Sequence, residues 1–232
     1  MSGNVLVSAQ DLRKSFFAGK MEVPALKGVS LEIREGEFTA LVGPSGSGKS
    51  TLLNLIGALD SPTGGRLIVL GKDVAKLSKE DRSVLRLRKL GFVFQAYNLV
   101  PVLTARENVE FVLELQGVGG TERQERSEAI LRELGLGDLA GRRPAELSGG
   151  QQQRVAVARA VVSRPKLVLA DEPTANLDGE NAESLMRLME GLRVRYGMTF
   201  LFSTHDSRVM RHAARTVTLT DGLISGDVVR CA

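Results

Sequence analysis

The stretch GPSGSGKST, residues 43–51, sets glycine, small hydroxyl residues and a lysine at the spacing G-x-x-x-x-G-K-[ST]. It follows the apolar run FTALV and precedes TLLNLIGAL, so a strand leads into the turn and a helix leaves it. In that setting backbone N–H groups surround phosphate oxygens, and the positive end of the helix dipole faces the anion. Gly43, Pro44, Ser45, Gly46, Ser47, Gly48, Lys49, Ser50 and Thr51 are therefore the expected cradle. Lys49 is placed to contact β- and γ-phosphates, and Ser50 to offer its hydroxyl to Mg²⁺.

Carboxylates suited to the same chemistry occur in LVLADEP, residues 167–173. Asp171 ends an apolar strand, where it can hold Mg²⁺ directly or through water. Alternation would send Asp171 and Glu172 to opposite faces of a continuing strand. Pro173 stops the strand and is expected to hold residue 172 extended, so that both acids approach one cleft. Glu172 is then the candidate to accept a proton from the attacking water, or to orient it; the alternative is an exposed loop acid. His205, in STHD, follows a strand and by itself reads as a structural hydrogen-bonder before a catalyst. Gln95, in GFVFQAYNL, carries no signal by itself.

A second glycine turn, LSGGQQQR at 147–154, needs its own explanation, since one nucleotide requires one cradle. Ser148 is a good N-cap, Gly149 and Gly150 allow close backbone approach, and the following helix directs its dipole at an anion.

The elements around these motifs can be read from periodicity. NVLVSAQDLRKSF and VSLEIREG alternate as a partly exposed antiparallel sheet. FTALVG, LVLAD and TFLFST are short buried strands. Between about residues 78 and 146 the pattern turns helical, with capping-box patterns in TARE at 104–107 and TERQ at 121–124 and one-face spacing of Ile130, Leu131 and Leu134. Approximately residues 96–148 form an inserted helical subdomain in this reading. A helix carrying Leu185, Leu188, Met189 and Leu192 then restores β/α alternation. The expected fold class is α/β, with a mainly parallel core sheet in a single domain over residues 1–232.

Composition narrows the function classes. The chain has 232 residues, 43% of them hydrophobic and 25% charged, which is enough to bury a core. The longest apolar run, VAVARAVV at 155–162, is far short of a bilayer span, and the first residues do not read as a secretory signal. A formal charge of +4 admits a polyanionic partner, but arginines such as Arg123, Arg126 and Arg132 alternate with glutamates, as on a solvated helix face. LRLRKL at 85–90 is the densest basic cluster, suited to such a face or to acidic headgroups. Nucleic acid is not an expected partner. The single cysteine, Cys231, excludes an internal disulfide or a cysteine zinc cluster and reads as a bystander thiol.

Taken in order, the P-loop, Gln95, LSGGQ, Asp171-Glu172, Asn176-Leu177-Asp178 and His205 resemble the ATP-binding cassette (ABC) ATPases along nearly the whole chain. The resemblance implies a P-loop NTPase core with an antiparallel β subdomain and an inserted helical one, and ATP and Mg²⁺ as cofactors. It implies a head-to-tail homodimer, in which Ser148, Gly149, Gly150 and Gln151 close over the ATP of the other subunit. It also implies that Gln95 senses Mg²⁺ and the attacking water, that His205 contacts the γ-phosphate, and that Asp178 lies at the dimer contact. Phe16, in KSFF, takes the place of the adenine-stacking aromatic, usually tyrosine.

RKLGFVFQAYNLVPVLTARENV, ADEPTANLD and FFAGKMEVPALKGVS resemble more narrowly the ATPases of lipoprotein-releasing and macrolide-exporting systems. That likeness implies a separate permease with a large extracytoplasmic region. The ATPase would then sit on the cytoplasmic face of the membrane, with Tyr97, Asn98 and Leu99 at the groove for the permease's cytoplasmic helix. A switch for a signalling permease would use the same chemistry. A soluble ABC ATPase acting on DNA or ribosomes would bring a coiled-coil insertion, zinc-ligand pairs or tandem cassettes, and a GTPase an Asn-Lys-x-Asp motif. None of these is present.

Overall fold

The computed structural model describes residues 3–19 and 21–230, so Cys231 lies outside the described residues. Alternation builds the first layer. Strand β1 (Val5–Ala18) pairs antiparallel with β2 (Met21–Arg34), where Leu26, Val29, Leu31 and Ile33 are buried while Lys27, Ser30 and Glu32 face outward. Strand β3 (Phe38–Val42) is buried at every residue, as a short apolar run predicts for a central parallel strand. Helix α1 (Lys49–Ile56) leaves the P-loop; it starts two residues before Thr51, and Gly57 caps it. Strands β4 (Gly64–Val69) and β5 (Lys72–Asp73) complete a sheet ordered β2-β1-β4-β5.

Helix α2 (Lys79–Lys89) opens on Ser78, whose hydroxyl accepts the Asp81 N–H. The basic cluster at its end is divided: Leu85 and Leu90 are buried and Arg86 donates to the Ala58 carbonyl, while Arg88 and Lys89 are exposed. Strand β6 (Leu90–Val93) then interrupts the stretch expected to be helical from residue 78, and pairs parallel with a core strand. Helix α3 (Ala105–Leu115) begins with the predicted box, Thr104 capping the Glu107 N–H and Glu107 returning to the Thr104 N–H. The TERQ box does not form. Helix α4 (Gly120–Glu133) already starts at Gly119, a residue tolerated at an N-cap, and this places Thr121 inside the first turn.

Helix α5 (Gly149–Val161) follows the second glycine turn, and β7 (Leu167–Asp171), α6 (Gly179–Tyr196) and β8 (Thr199–Thr204) restore the β/α alternation. Helix α7 (Ser207–Met210) and the antiparallel pair β9 (Arg215–Thr220) and β10 (Leu223–Val229) complete the described chain. The core sheet is ordered β10-β9-β3-β8-β7-β6 and is parallel from β9 to β6.

Strand alternation divides this sheet between two cores. Phe38, Ala40, Phe200, Phe202, Val168 and Ala170 pack toward α3–α6. Leu41, Leu167, Leu169, Leu201, Val217 and Leu219 pack toward α1 and the antiparallel sheet. Because the strands are parallel, β3, β7 and β8 deliver Val42, Asp171 and Thr204 to one edge, where the chain leaves each strand for a loop. No described helix is long and apolar enough to cross a membrane.

Candidate nucleotide site

At that edge a cleft of about 570 Å³ is lined by Ser45, Gly46, Gly48, Lys49, Ser50 and Thr51, together with Ala25, Gln95, Glu172, Ala175 and His205. Five segments far apart in sequence thus meet in one place. Gly43, Pro44 and Ser47 are not among the lining residues: Lys49 Nζ donates to the Gly43 and Pro44 carbonyls at 2.9 and 3.1 Å, and the Ser47 carbonyl accepts the Gly222 N–H at 3.1 Å.

The loop's backbone requires glycine at two points. Gly48 has φ +105°, and a β-carbon there would stand 2.7 Å from the Ala25 carbonyl oxygen. At Gly43 it would stand 2.0 Å from the Leu219 carbonyl oxygen. The shape fits a phosphate group. Gly48 caps α1 with no side-chain acceptor, which leaves the first N–H groups of the helix open to an anion. Ser47 Oγ is buried without a partner, and the ammonium of Lys49 needs only to exchange two carbonyls for phosphate oxygens.

Asp171 and Glu172 reach the site differently from the expectation. Glu172 is not extended: its φ is +48°, in the left-handed region. The strand ends at Asp171, and this reversal, rather than Pro173 acting on an extended residue, breaks the alternation; Glu172 lines the cleft, whereas Asp171, half-buried against Ser203, is not among the lining residues. Ser203, in register with Asp171 on β8, donates to Asp171 Oδ1 at 2.6 Å and accepts the Glu172 N–H at 2.9 Å. The carboxylate of Glu172 lies 3.0 Å from His205 Nδ1. His205 therefore has one ring nitrogen on the acid, and Nε2 remains for a ligand.

The donor set suits a hard cation. Asp171 keeps one carboxylate oxygen clear of Ser203, while Ser50 and Gln95 contribute oxygens from the cleft wall. Among the described residues no group of three His, Cys, Asp or Glu could hold a metal. Gln95 is positioned through its backbone, its carbonyl accepting from Asn176 Nδ2 at 3.0 Å.

The second glycine turn lies outside this cleft. Ser148 Oγ accepts the Gln151 N–H at 3.3 Å, and Gln151 Oε1 accepts the Ser148 N–H at 2.9 Å, so Gln151 shapes the turn. Gly149 lies close to Tyr97: a β-carbon there would meet the Tyr97 hydroxyl at 2.8 Å and displace that side chain's tip. Ser148 is exposed, and Gly149 and Gly150 are half-exposed. Asp178 caps α6 through the Asn181 N–H.

Phe16 is exposed on β1 opposite Val23, with the Lys14 ammonium 5.1 Å from its ring centre, and is not part of the cleft wall around the P-loop. Tyr97 and Asn98 are held by Arg159, whose guanidinium donates to both carbonyls. Burial pushes Arg159 below its ordinary pKa. Leu99, by contrast, packs on the core. A groove of about 350 Å³ next to them is lined by Leu59, Phe92, Phe94, Asn98, Val112 and Arg159, among others.

Three contributors were missed from the sequence. Ser203 lies in an apolar strand, and Arg159 and Gln153 lie in a helix. Gln153 is almost wholly buried, and its Nε2 donates to the Pro173 carbonyl at 2.7 Å, tying α5 to the turn that bears Glu172. A polar residue at a core-facing helical position was the only available signal.

Residues 26–175 match the model of the family described as ABC transporter. A lipoprotein-releasing system ATP-binding protein, LolD, of Anaeromyxobacter dehalogenans is 50% identical over 95% of this chain and 93% of its own length. A macrolide export ATP-binding/permease protein, MacB, of Brucella melitensis is 45% identical over 99% of this chain, which spans only 35% of that relative. Among solved structures, the dimeric post-hydrolysis state of the ATP-binding cassette MJ0796, bound to ADP and Pi, superposes with a TM-score of 0.91. It is 41% identical, over 97% of this chain and 99% of that one.

Proposed function

This chain belongs to the ABC transporter family and is an ABC-type ATPase, and we propose that it works as a homodimer powering a separately encoded permease of the lipoprotein-release or macrolide-export type. The observation that carries the dimer is geometric. The cleft gathers the P-loop, Gln95, Glu172 and His205 of one chain but leaves the turn Ser148–Gln151 outside it. A second copy, turned head to tail, supplies that turn with its helix N-terminus aimed at the phosphates.

ATP is the substrate. The P-loop N–H groups and Lys49 hold its β- and γ-phosphates, and His205 Nε2 reaches the γ-phosphate. Ser50, Asp171 and Gln95 are the residues that would hold Mg²⁺, which neutralises charge on the phosphate oxygens when bound. Glu172, fixed against His205, orients the attacking water and takes its proton. Catalysis by this arrangement is positioning and charge neutralisation, complete only when Ser148, Gly149 and Gly150 of the second copy close the site. Phe16 is assigned the adenine, with an aromatic face but no hydroxyl. The groove beside Asn98 is assigned to the permease's cytoplasmic helix, at the cytoplasmic face of the membrane.

Glu172→Gln tests the chemistry. It keeps the shape and removes the base, so ATP binding is expected to persist while hydrolysis falls by at least about 100-fold, the usual scale for a general base. ATP-dependent dimers should then accumulate in size-exclusion chromatography. Hydrolysis at the wild-type rate would refute the assignment.

A further inference from the structure

Strand β8 is buried at all six of its residues, in the middle of the core sheet between β3 and β7. A serine there is a poor choice for packing. It has a low strand propensity, it brings little apolar surface, and its hydroxyl must find partners out of reach of water. Ser203 is fully buried, and its hydroxyl makes two bonds, one to the side chain of Asp171 and one to the backbone of Glu172. The Oγ–H donates to Asp171 Oδ1 at 2.6 Å, a charge-assisted bond within the short range for O–H···O⁻. Its lone pair accepts the Glu172 N–H at 2.9 Å.

We propose that Ser203 is a positioning residue for hydrolysis, which fixes the metal-binding face of Asp171 and the backbone reversal that aims Glu172. This rests on the reading of Asp171 as a Mg²⁺ ligand and Glu172 as the base.

The first bond occupies Oδ1 and fixes the rotation of the carboxylate, which leaves Oδ2 clear of Ser203 for a cation. The second holds an unfavourable backbone. Glu172 sits at φ +48°, a conformation that L-residues avoid unless their surroundings over-determine it. With the N–H anchored on β8, Glu172's own carbonyl accepting the Ala175 N–H at 3.2 Å and the following Pro173 carbonyl held by Gln153, the reversal is clamped on both sides of the Glu172 α-carbon. The carboxylate is thereby held 3.0 Å from His205. One hydroxyl thus sets the relative placement of a metal ligand and a base that are neighbours in sequence, and alternation alone would have pointed them apart.

The test compares Ser203→Ala, Ser203→Thr and Ser203→Cys. Losing a hydrogen bond to a charged group corresponds to roughly a 10–100-fold change, so Ser203→Ala is expected to lower kcat by at least about tenfold. Its KM for ATP should stay within about twofold, since the P-loop is untouched. A second readout does not depend on turnover: ATP affinity is titrated by fluorescence in EDTA and again in Mg²⁺. The EDTA value should match wild type, and the gain on adding Mg²⁺ should shrink several-fold. Ser203→Thr keeps the hydroxyl and should restore both quantities.

Ser203→Cys fills the volume with a weak donor and should behave like alanine, which distinguishes hydrogen bonding from packing. If Ser203→Ala does not fold, the cysteine variant is read by the same criteria. Either kcat or the Mg²⁺ gain within about twofold of wild type overturns the proposal. Failure of the underlying reading shows separately, as a Glu172→Gln protein that hydrolyses normally or an Asp171→Asn protein whose Mg²⁺ gain is unchanged.

Discussion

The chemistry of this cassette depends on a few side chains that the fold holds in place at the cleft. Lys49 donates to two carbonyls of its own loop, so ATP meets a lysine already aimed at the cradle. Lys49→Ala removes a charge-assisted contact and is expected to weaken ATP binding by about 1.5–3 kcal/mol. Isothermal titration would measure it. Ser50→Ala should act through the metal instead, raising the Mg²⁺ needed for half-maximal turnover, and an unchanged Mg²⁺ dependence would count against Ser50 as a ligand. At this scale the sequence was informative where spacing constrains chemistry. G-x-x-x-x-G-K-[ST] admits few readings, and Asp171-Glu172-Pro173 announced two acids at a strand end. Conformation was not legible in the same way: proline restricts the residue before it, but the left-handed turn at Glu172 also rests on Ser203 across the sheet. A serine in an apolar strand gives no sign of which acid it will meet.

The helices hold these residues through their ends. Thr104→Ala breaks a formed capping box and should cost about 1 kcal/mol, whereas Thr121→Ala removes no cap and should stay within about 0.5 kcal/mol. Chemical denaturation of the two variants would show the difference. Both sequences carry the same box pattern, so local signal alone could not separate them; the outcome turned on Gly119 opening α4 earlier. Strand β6 was hidden for a related reason, since four residues between two helices are too few for periodicity to register.

Asp178 supplies a pH test at the same scale. The Asn181 backbone N–H, and then its side chain, hold the Asp178 carboxyl below the ordinary carboxylate range. A depressed folded-state value means that the cap's contribution is full above the unfolded value of roughly 3.9 and is lost as pH falls through the folded one. Asp178→Asn keeps an acceptor and loses the titration. Its stability, followed by thermal melting between neutral and strongly acidic pH, should therefore fall less steeply than that of wild type, and identical slopes would contradict the cap's ionic role.

At the scale of the molecule, one parallel sheet brings three strand ends to the same edge, and loops from both flanking layers complete the cleft. The strands were legible because each is a short apolar run, but the groove beside Asn98 was only partly so. Tyr97, Asn98 and Leu99 are adjacent in sequence, yet Leu99 packs on the core while Asn98 lines the groove. Leu59, half-exposed on the groove's far wall, is the better probe of a permease contact. Leu59→Asp should leave the ATPase activity of the isolated protein unchanged and abolish co-purification with the permease; retained co-purification would place the contact elsewhere.

The central claim is that Ser148 serves the ATP of a second copy, and mixed dimers carrying Lys49→Ala and Ser148→Arg test it most directly. With one lesion on each chain, action across the dimer puts both lesions in a single composite site and leaves the other whole. With both on one chain and a wild-type partner, it damages both sites. Differently tagged, purified heterodimers would be compared for ATP trapped per dimer and for turnover. The account predicts higher occupancy in the arrangement with one lesion per chain, because only there does an intact P-loop meet an intact Ser148–Gly150 turn. Higher occupancy in the arrangement with both lesions on one chain would mean that the turn acts on its own subunit's nucleotide, and would contradict the head-to-tail dimer.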